Sequence, residues 1–419
     1  MPRALKWSLI GVLAAAVLLI GAAGALWLAT RDRPAGRLDT QLEGVKVTTA
    51  ATTTSHSPAP RAELADRTCW LSFGGDSQRT LARTTFDLGV PRRRLWQRGL
   101  NGGLIEYPPT YCDGTLYVNT DKGFTFAVSA ATGDVLWHRR FGSMLPSSPA
   151  IDGPRLIISS KDGTVTAVKR SNGQVLWRVT TPTGVESSPV VVDGLAYFGS
   201  QDGRLYAVDA VTGRIRWAFD TGGRINSSPS VSGGRVCIDN YAGAFFCLDR
   251  RTGAKLWSTY VKIDPFRYDS FYSSPSTDGQ RLYAVSRSGQ VVAVRAADGA
   301  VVWTHQIDGW GYTTPAVANG RVFVGGFDGK MHSFRAASGE VAWETHVGGR
   351  ILGAPIVIGK LVFFSTLEGQ TYAARVSDGA VVWRFPLGQY SPGIATERTY
   401  FFSLSGWLVA FEGRRSAPQ

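Results

Sequence analysis

Residues 187–217, SSPVVVDGLAYFGSQDGRLYAVDAVTGRIRW, decide the fold of this chain. Ser187-Ser188-Pro189 leads into an apolar run at 190–192, and Asp193-Gly194 turns the chain. Runs at 195–199 and 205–208 follow, separated by Gln201-Asp202-Gly203, and Thr212-Gly213 turns into the segment carrying Trp217. Short β-branched and aromatic runs bounded by turn residues read as strands. Four strands in about 40 residues match one blade of a β-propeller.

The pattern recurs in both directions. Trp137, Trp177, Trp217, Trp257, Trp303, Trp343 and Trp383 each follow a glycine by four positions, at intervals of 40, 40, 40, 46, 40 and 40 residues. Each glycine falls where a hairpin turn needs tolerance of positive φ. Prolines before the first strand recur from Pro109 to Pro355, and Pro392 opens an eighth unit that ends before a fourth strand. Trp96, 41 residues before Trp137, supplies the missing strand, so residues 92–98 are expected to close the last blade and remove its free edge. The predicted fold class is all-β: an eight-bladed propeller of four-stranded antiparallel blades.

Ten residues before each of the seven regular tryptophans the residue is small, and twenty before it is mostly aromatic, as in Tyr197, Ala207 and Trp217. Large-against-small pairing lets neighbouring sheets interdigitate. The eight tryptophans therefore read as structural docking residues. One unit departs from both columns, with Cys237 in the aromatic place and Cys247 in the small one. That coordinated exception favours a cross-strand disulfide, the alternative being two buried free thiols. Cys69 and Cys112 are a second candidate pair. Disulfides would point to an oxidising, extracytoplasmic compartment.

Ahead of the repeats, residues 7–29 are an uncharged apolar run of bilayer-spanning length behind a short tail at 1–6. Ala23-Gly24-Ala25 resembles a signal-peptide cleavage site, but the run exceeds a normal signal core, which favours an uncleaved single-pass anchor. Residues 30–68 are expected to be a flexible Thr/Ser/Pro/Ala-rich linker, with 42–47 as a candidate extra strand. The propeller is assigned to 69–413 and a tail to 414–419. The net charge of +13 suits an anionic envelope polymer or a solvated basic surface, and no nucleic-acid-binding module is recognisable.

The stretch 207–217 matches A-x-D-x-x-T-G-x-x-x-W, and Trp70, Phe73, Asp76, Arg79 and Thr80 fit W-x-x-F-x-x-D-x-x-R-T. On these residues the chain resembles the quinoprotein-like, PQQ-repeat propellers, over about 69–412. Some members of that superfamily are pyrroloquinoline-quinone dehydrogenases, with adjacent cysteines over the cofactor and a calcium site of Glu, Asn and Asp. This chain has no adjacent cysteines and no segment matching those calcium ligands, so the resemblance implies the BamB-like, non-catalytic branch. PQQ with Ca²⁺ is carried only by that fold analogy.

The loops leading into the proline-started strands are not explained by the repeat. They offer Glu106, Tyr107, Glu186, Arg224, Asn226, Trp310, Tyr312, Arg350 and Tyr390 as a candidate ligand or partner face. The interval of 46 marks a six-residue insertion at 264–272, adding Phe266, Arg267, Tyr268 and Tyr272. Aromatics with arginine suit protein contacts, or stacking on a sugar or flat cofactor. The five histidines fit no metal motif, and no nucleophile elbow or phosphate loop is present. The Ser-Ser-Pro triplets recur in successive units, so their hydroxyls are expected to cap turns. The reading that follows is a monomeric, membrane-anchored, extracytoplasmic scaffold for a protein or polymer partner, with a quinone-dependent oxidoreductase and an envelope polysaccharide binder as alternatives.

Overall fold

A computed structural model describes residues 37–39, 42, 44–49, 69–100, 103–264, 267–404 and 406–413. The expected tail at 1–6, anchor at 7–29 and tail at 414–419 lie outside these residues, and no described helix is long and apolar enough to cross a membrane. Blade 1 consists of Thr110–Cys112, Thr115–Asn119, Phe124–Ser129 and Val135–Arg140. Blades 2 to 7 repeat this antiparallel order at 150–180, 190–220, 230–260, 276–306, 316–346 and 356–385. Blade 8 takes Gly393–Ala395, Thr399–Leu404 and Trp407–Glu412 from the C-terminal end and Arg94–Gly99 from the N-terminal side, with Ala410 opposite Trp96. The expected closure is therefore observed.

The tryptophan ladder is a set of bonds between blades. Trp96, Trp137, Trp177, Trp217, Trp257, Trp303 and Trp343 each donate an indole N–H to a carbonyl in the next blade's last turn, at 2.9–3.2 Å. The small column acts within a blade. Tyr197, Ala207 and Trp217 lie side by side in register, and the two rings approach over the alanine to 5.9 Å between centroids. Tyr197 Oη then donates to the Arg250 carbonyl that also accepts from Trp217.

Residues 69–83 form a hub against the inner strands. Trp70 pairs with Tyr111 of blade 1, and its indole donates to the Ala395 carbonyl of blade 8. The carbonyls of Leu71, Ser77, Gln78, Thr80 and Leu81 accept N–H bonds from Ile151, Val231, Thr277, Val317 and Val357, one each in blades 2, 4, 5, 6 and 7. Arg79 is wholly buried and donates to the carbonyls of Ser188 (blade 3, 2.7 Å), Pro229 (blade 4, 2.6 Å) and Phe73 (2.8 Å). This one segment thus touches all eight blades. The Cys69–Cys112 disulfide fastens it to blade 1, and Cys237–Cys247 crosses blade 4 in register, so both candidate pairs are bonded.

Two expectations are corrected. The Ser-Ser-Pro hydroxyls do not merely cap turns. Ser148, Ser188, Ser228 and Ser274 each donate a backbone N–H to the hydroxyl of Ser188, Ser228, Ser274 and Thr314 in the following blade, forming an arc between blades. The presumed flexible linker also contains two strands. Lys46–Thr49 pairs with the outer strand of blade 2, and Arg37–Asp39 with that of blade 3. An outer strand presents unpaired N–H and C=O groups, which these segments satisfy, and Leu42 and Val45 pack on the apolar cluster below.

A laced aromatic funnel as candidate functional site

In each of blades 1 to 5 and 7, the turn between the second and third strands is tied to the loop that leads into the same blade. The donors are the N–H groups of Asp121, Lys161, Gln201, Tyr241, Arg287 and Leu367, and the acceptors are the carbonyls of Leu104, Met144, Gly184, Arg224, Ser270 and Arg350. The two loop sets form one laced face, which fixes the side chains they carry.

Glu186 is its electrostatic centre. Its carboxylate is buried and gathers donors from four blades: Lys161 Nζ at 3.2 Å, Gln201 Nε2 at 2.8 Å, Asn226 Nδ2 at 2.9 Å and Tyr272 Oη at 3.1 Å. Asn226 Oδ1 accepts in turn from Arg224 Nε and Gln201 Nε2. A carboxylate held by this many polar partners keeps its geometry, because losing any one leaves a buried group short. Arg224 also lies over the Tyr241 ring, and Tyr241, Tyr272 and Tyr312 follow one another edge to face at 6.0 and 5.3 Å. Trp310 extends the row against Tyr312 and Phe327, with Arg287 over its indole.

Across from this network, Glu106 makes no hydrogen bond or ion pair among the described residues. Burial raises its pKa, as do the charges of Asp121 and Glu186, against the pull of Lys161. The phenols of Tyr107 and Tyr390 are raised by burial first and by Glu106 second, and Tyr272 is raised by burial, then by Tyr107 and Glu186. The carboxylates and phenols of this face thus feel one another's charge.

Most of the predicted face therefore assembles. Arg350 faces outward and is paired with Glu368 at 2.9 Å. The insertion divides: Lys262–Asp264 and Arg267–Tyr268 make a short hairpin, on which Tyr268 packs against Tyr260 of the outer strand of blade 4, and among the described side chains of the insertion Tyr272 reaches the funnel. Phe271 serves the core, 4.7 Å from Phe245. Phe266 lies outside the described residues, and for Arg267 only the backbone is described. Sequence reasoning missed Lys161, Gln201, Tyr241, Arg287 and Phe327. All five stand 16 residues before a ladder tryptophan, a register column whose side-chain type changes from blade to blade.

The funnel does not fit a quinone–calcium centre. Calcium needs converging oxygen acceptors, whereas the groups facing Glu186 are hydrogen-bond donors and one is an ammonium. Cys69 and Cys112 approach Asp113, but their sulfurs are bonded to each other and offer no thiolate.

The profile of the family described as "Outer membrane protein assembly factor BamB" matches residues 90–261 and 309–411, more than half of the chain. Among solved structures, BamB from Moraxella catarrhalis superposes with a TM-score of 0.65 at 16% identity, over 78% of this chain and 99% of that one. A europium-containing methanol dehydrogenase gives 0.68 at 14% identity, over 78% and 87%. Quinohemoprotein alcohol dehydrogenase from Comamonas testosteroni gives 0.69 at 14%, over 85% and 82%. At these identities the likeness is one of fold. No curated protein matches the sequence.

Proposed function

The chain belongs to the PQQ-repeat family described as outer membrane protein assembly factor BamB, and on that premise we propose that it is a non-catalytic binding scaffold of the cell envelope. In this reading residues 7–29 tether the propeller to the membrane, the propeller stands on the extracytoplasmic side, and the funnel receives a protein or polymer partner. The observation that carries it is the Glu186 network: a buried carboxylate fixed from four blades beneath a row of partly exposed aromatic rings. Preorganised aromatic and charged side chains lower the entropy cost of binding. The two disulfides support the compartment.

Affinity purification of the full-length chain from envelope extracts tests the reading. Trp310→Ala combined with Glu106→Ala is expected to lose the captured partner while the propeller keeps its melting temperature. An unchanged partner set would count against the funnel. Trp310 is 54% exposed and flanked by Tyr312 and Phe327; this favours polysaccharide as a second reading, since such a platform suits a sugar face. Glycan-array binding that Trp310→Ala abolishes would select it.

A further inference from the structure

On the opposite face to the funnel, between the first strands of blades 4 and 5, a cavity of about 90 Å³ is lined by Ser230, Ser232, Arg235, Thr277 and Gly279, among others. Its polar groups are unbalanced. The equivalent arginines of blades 2 and 5 each meet an acid three residues earlier, Asp152 for Arg155 at 2.7 Å and Asp278 for Arg281 at 3.5 Å. Blade 4 has Ser232 opposite Arg235 instead, and no described acid pairs with that guanidinium. Arg235 Nε is buried without an acceptor. Ser230 is 1% exposed, and its hydroxyl is likewise unpartnered. Ser232 Oγ already accepts from Gln78 Nε2 at 2.9 Å, which leaves its own proton to donate. No carboxylate lines the cavity.

A guanidinium can only donate, and a buried N–H of one left without an acceptor is costly. Three donors with no matching acceptor call for a negatively charged occupant. We propose that this cavity binds a small oxyanion, a phosphate or a carboxylate, through Arg235 Nε and the hydroxyls of Ser230 and Ser232. The volume admits an ion of that size. Because Gln78 and Thr277 join hub and blade 5 at the same place, occupancy would also tighten the hub.

The test is calorimetric titration of the full-length chain with inorganic phosphate or acetate at constant ionic strength, with chloride as control, and a parallel thermal melt. Saturable binding of phosphate or of acetate is expected, and which of them saturates identifies the oxyanion class. Arg235→Gln should weaken it by about tenfold or more, as loss of a charge-assisted hydrogen bond does. Ser230→Val, which fills the cavity, should abolish it without lowering the melting temperature measured in chloride. Equal responses to all three anions, or an unchanged affinity in Arg235→Gln, would overturn the proposal.

Discussion

Gly213 and Trp177 are partners across the gap between blades 2 and 3. A Cβ on Gly213 would stand 2.8 Å from the Trp177 ring, and the Trp177 indole donates to the Ala210 carbonyl of the same turn at 3.1 Å. The spacing of four between Gly213 and Trp217 therefore conceals two different contacts. Gly213 receives the tryptophan of the preceding blade, and Trp217 reaches forward to blade 4. The motif joins three blades rather than two residues of one.

This separates two roles of glycine that can be measured apart. Gly194 has a φ of 76° with nothing within 4 Å of an added Cβ, whereas Gly213 has a φ of 73° and the indole beneath it. Gly194→Ala should cost about 1 kcal/mol from backbone strain alone. Gly213→Ala adds overpacking and should cost about 2–4 kcal/mol. Denaturant midpoints of the two variants check this, and equal losses would mean that the contact with Trp177 carries nothing.

The two disulfides close loops of different length, with separations of 43 and 10 residues. Chain entropy assigns about 4 kcal/mol to the first and about 3 kcal/mol to the second. Replacing Cys69 and Cys112 by serine should therefore destabilise more than replacing Cys237 and Cys247. It should also raise hydrogen exchange across 69–83, a readout that the blade 4 pair leaves unchanged.

The fold was legible because its determinants recur in register: Trp217, Ala207 and Tyr197 each predict a place in every blade. The funnel was half legible. Glu186 and Tyr272 stand on loops that the repeat leaves unexplained, but Lys161 and Gln201 occupy a turn column where each blade needs a different side chain, so periodicity has nothing to detect. The inter-blade role of Ser188 was hidden for the opposite reason, since a recurring serine reads equally well as a turn cap. The hub was visible only as a motif, because its partners are backbone groups spread from Tyr111 to Ala395, which side-chain patterns do not record.

Arg79 holds the hub by a side chain that bonds three carbonyls and sees no solvent. Arg79→Met leaves those carbonyls without a donor and should cost about 3–5 kcal/mol. Arg79→Lys keeps the charge but not the planar fork, and should recover only part of the loss. Thermal melts of the two variants beside wild type test the order, and a lysine variant as stable as wild type would show that charge alone suffices.

Asp239 closes the second strand of blade 4, wholly buried, with no partner for either carboxylate oxygen. Burial holds its pKa well above the usual range, and the nearby Ser227 hydroxyl donates to the Asp239 backbone carbonyl at 2.8 Å rather than to its carboxylate. In the unfolded chain an aspartate ionises near pH 3.9. Above about that pH the unfolded state has released a proton that the folded state still binds, so stability falls as pH rises toward the folded-state value. Asp239→Asn carries no such proton. Relative to wild type its stability should therefore improve as pH rises from about 4 toward the folded-state value, whatever the difference at the acid end. Chemical denaturation of both proteins across that range measures the slope. Parallel curves would mean that Asp239 is ionised in the folded chain and has found a partner that its surroundings do not display.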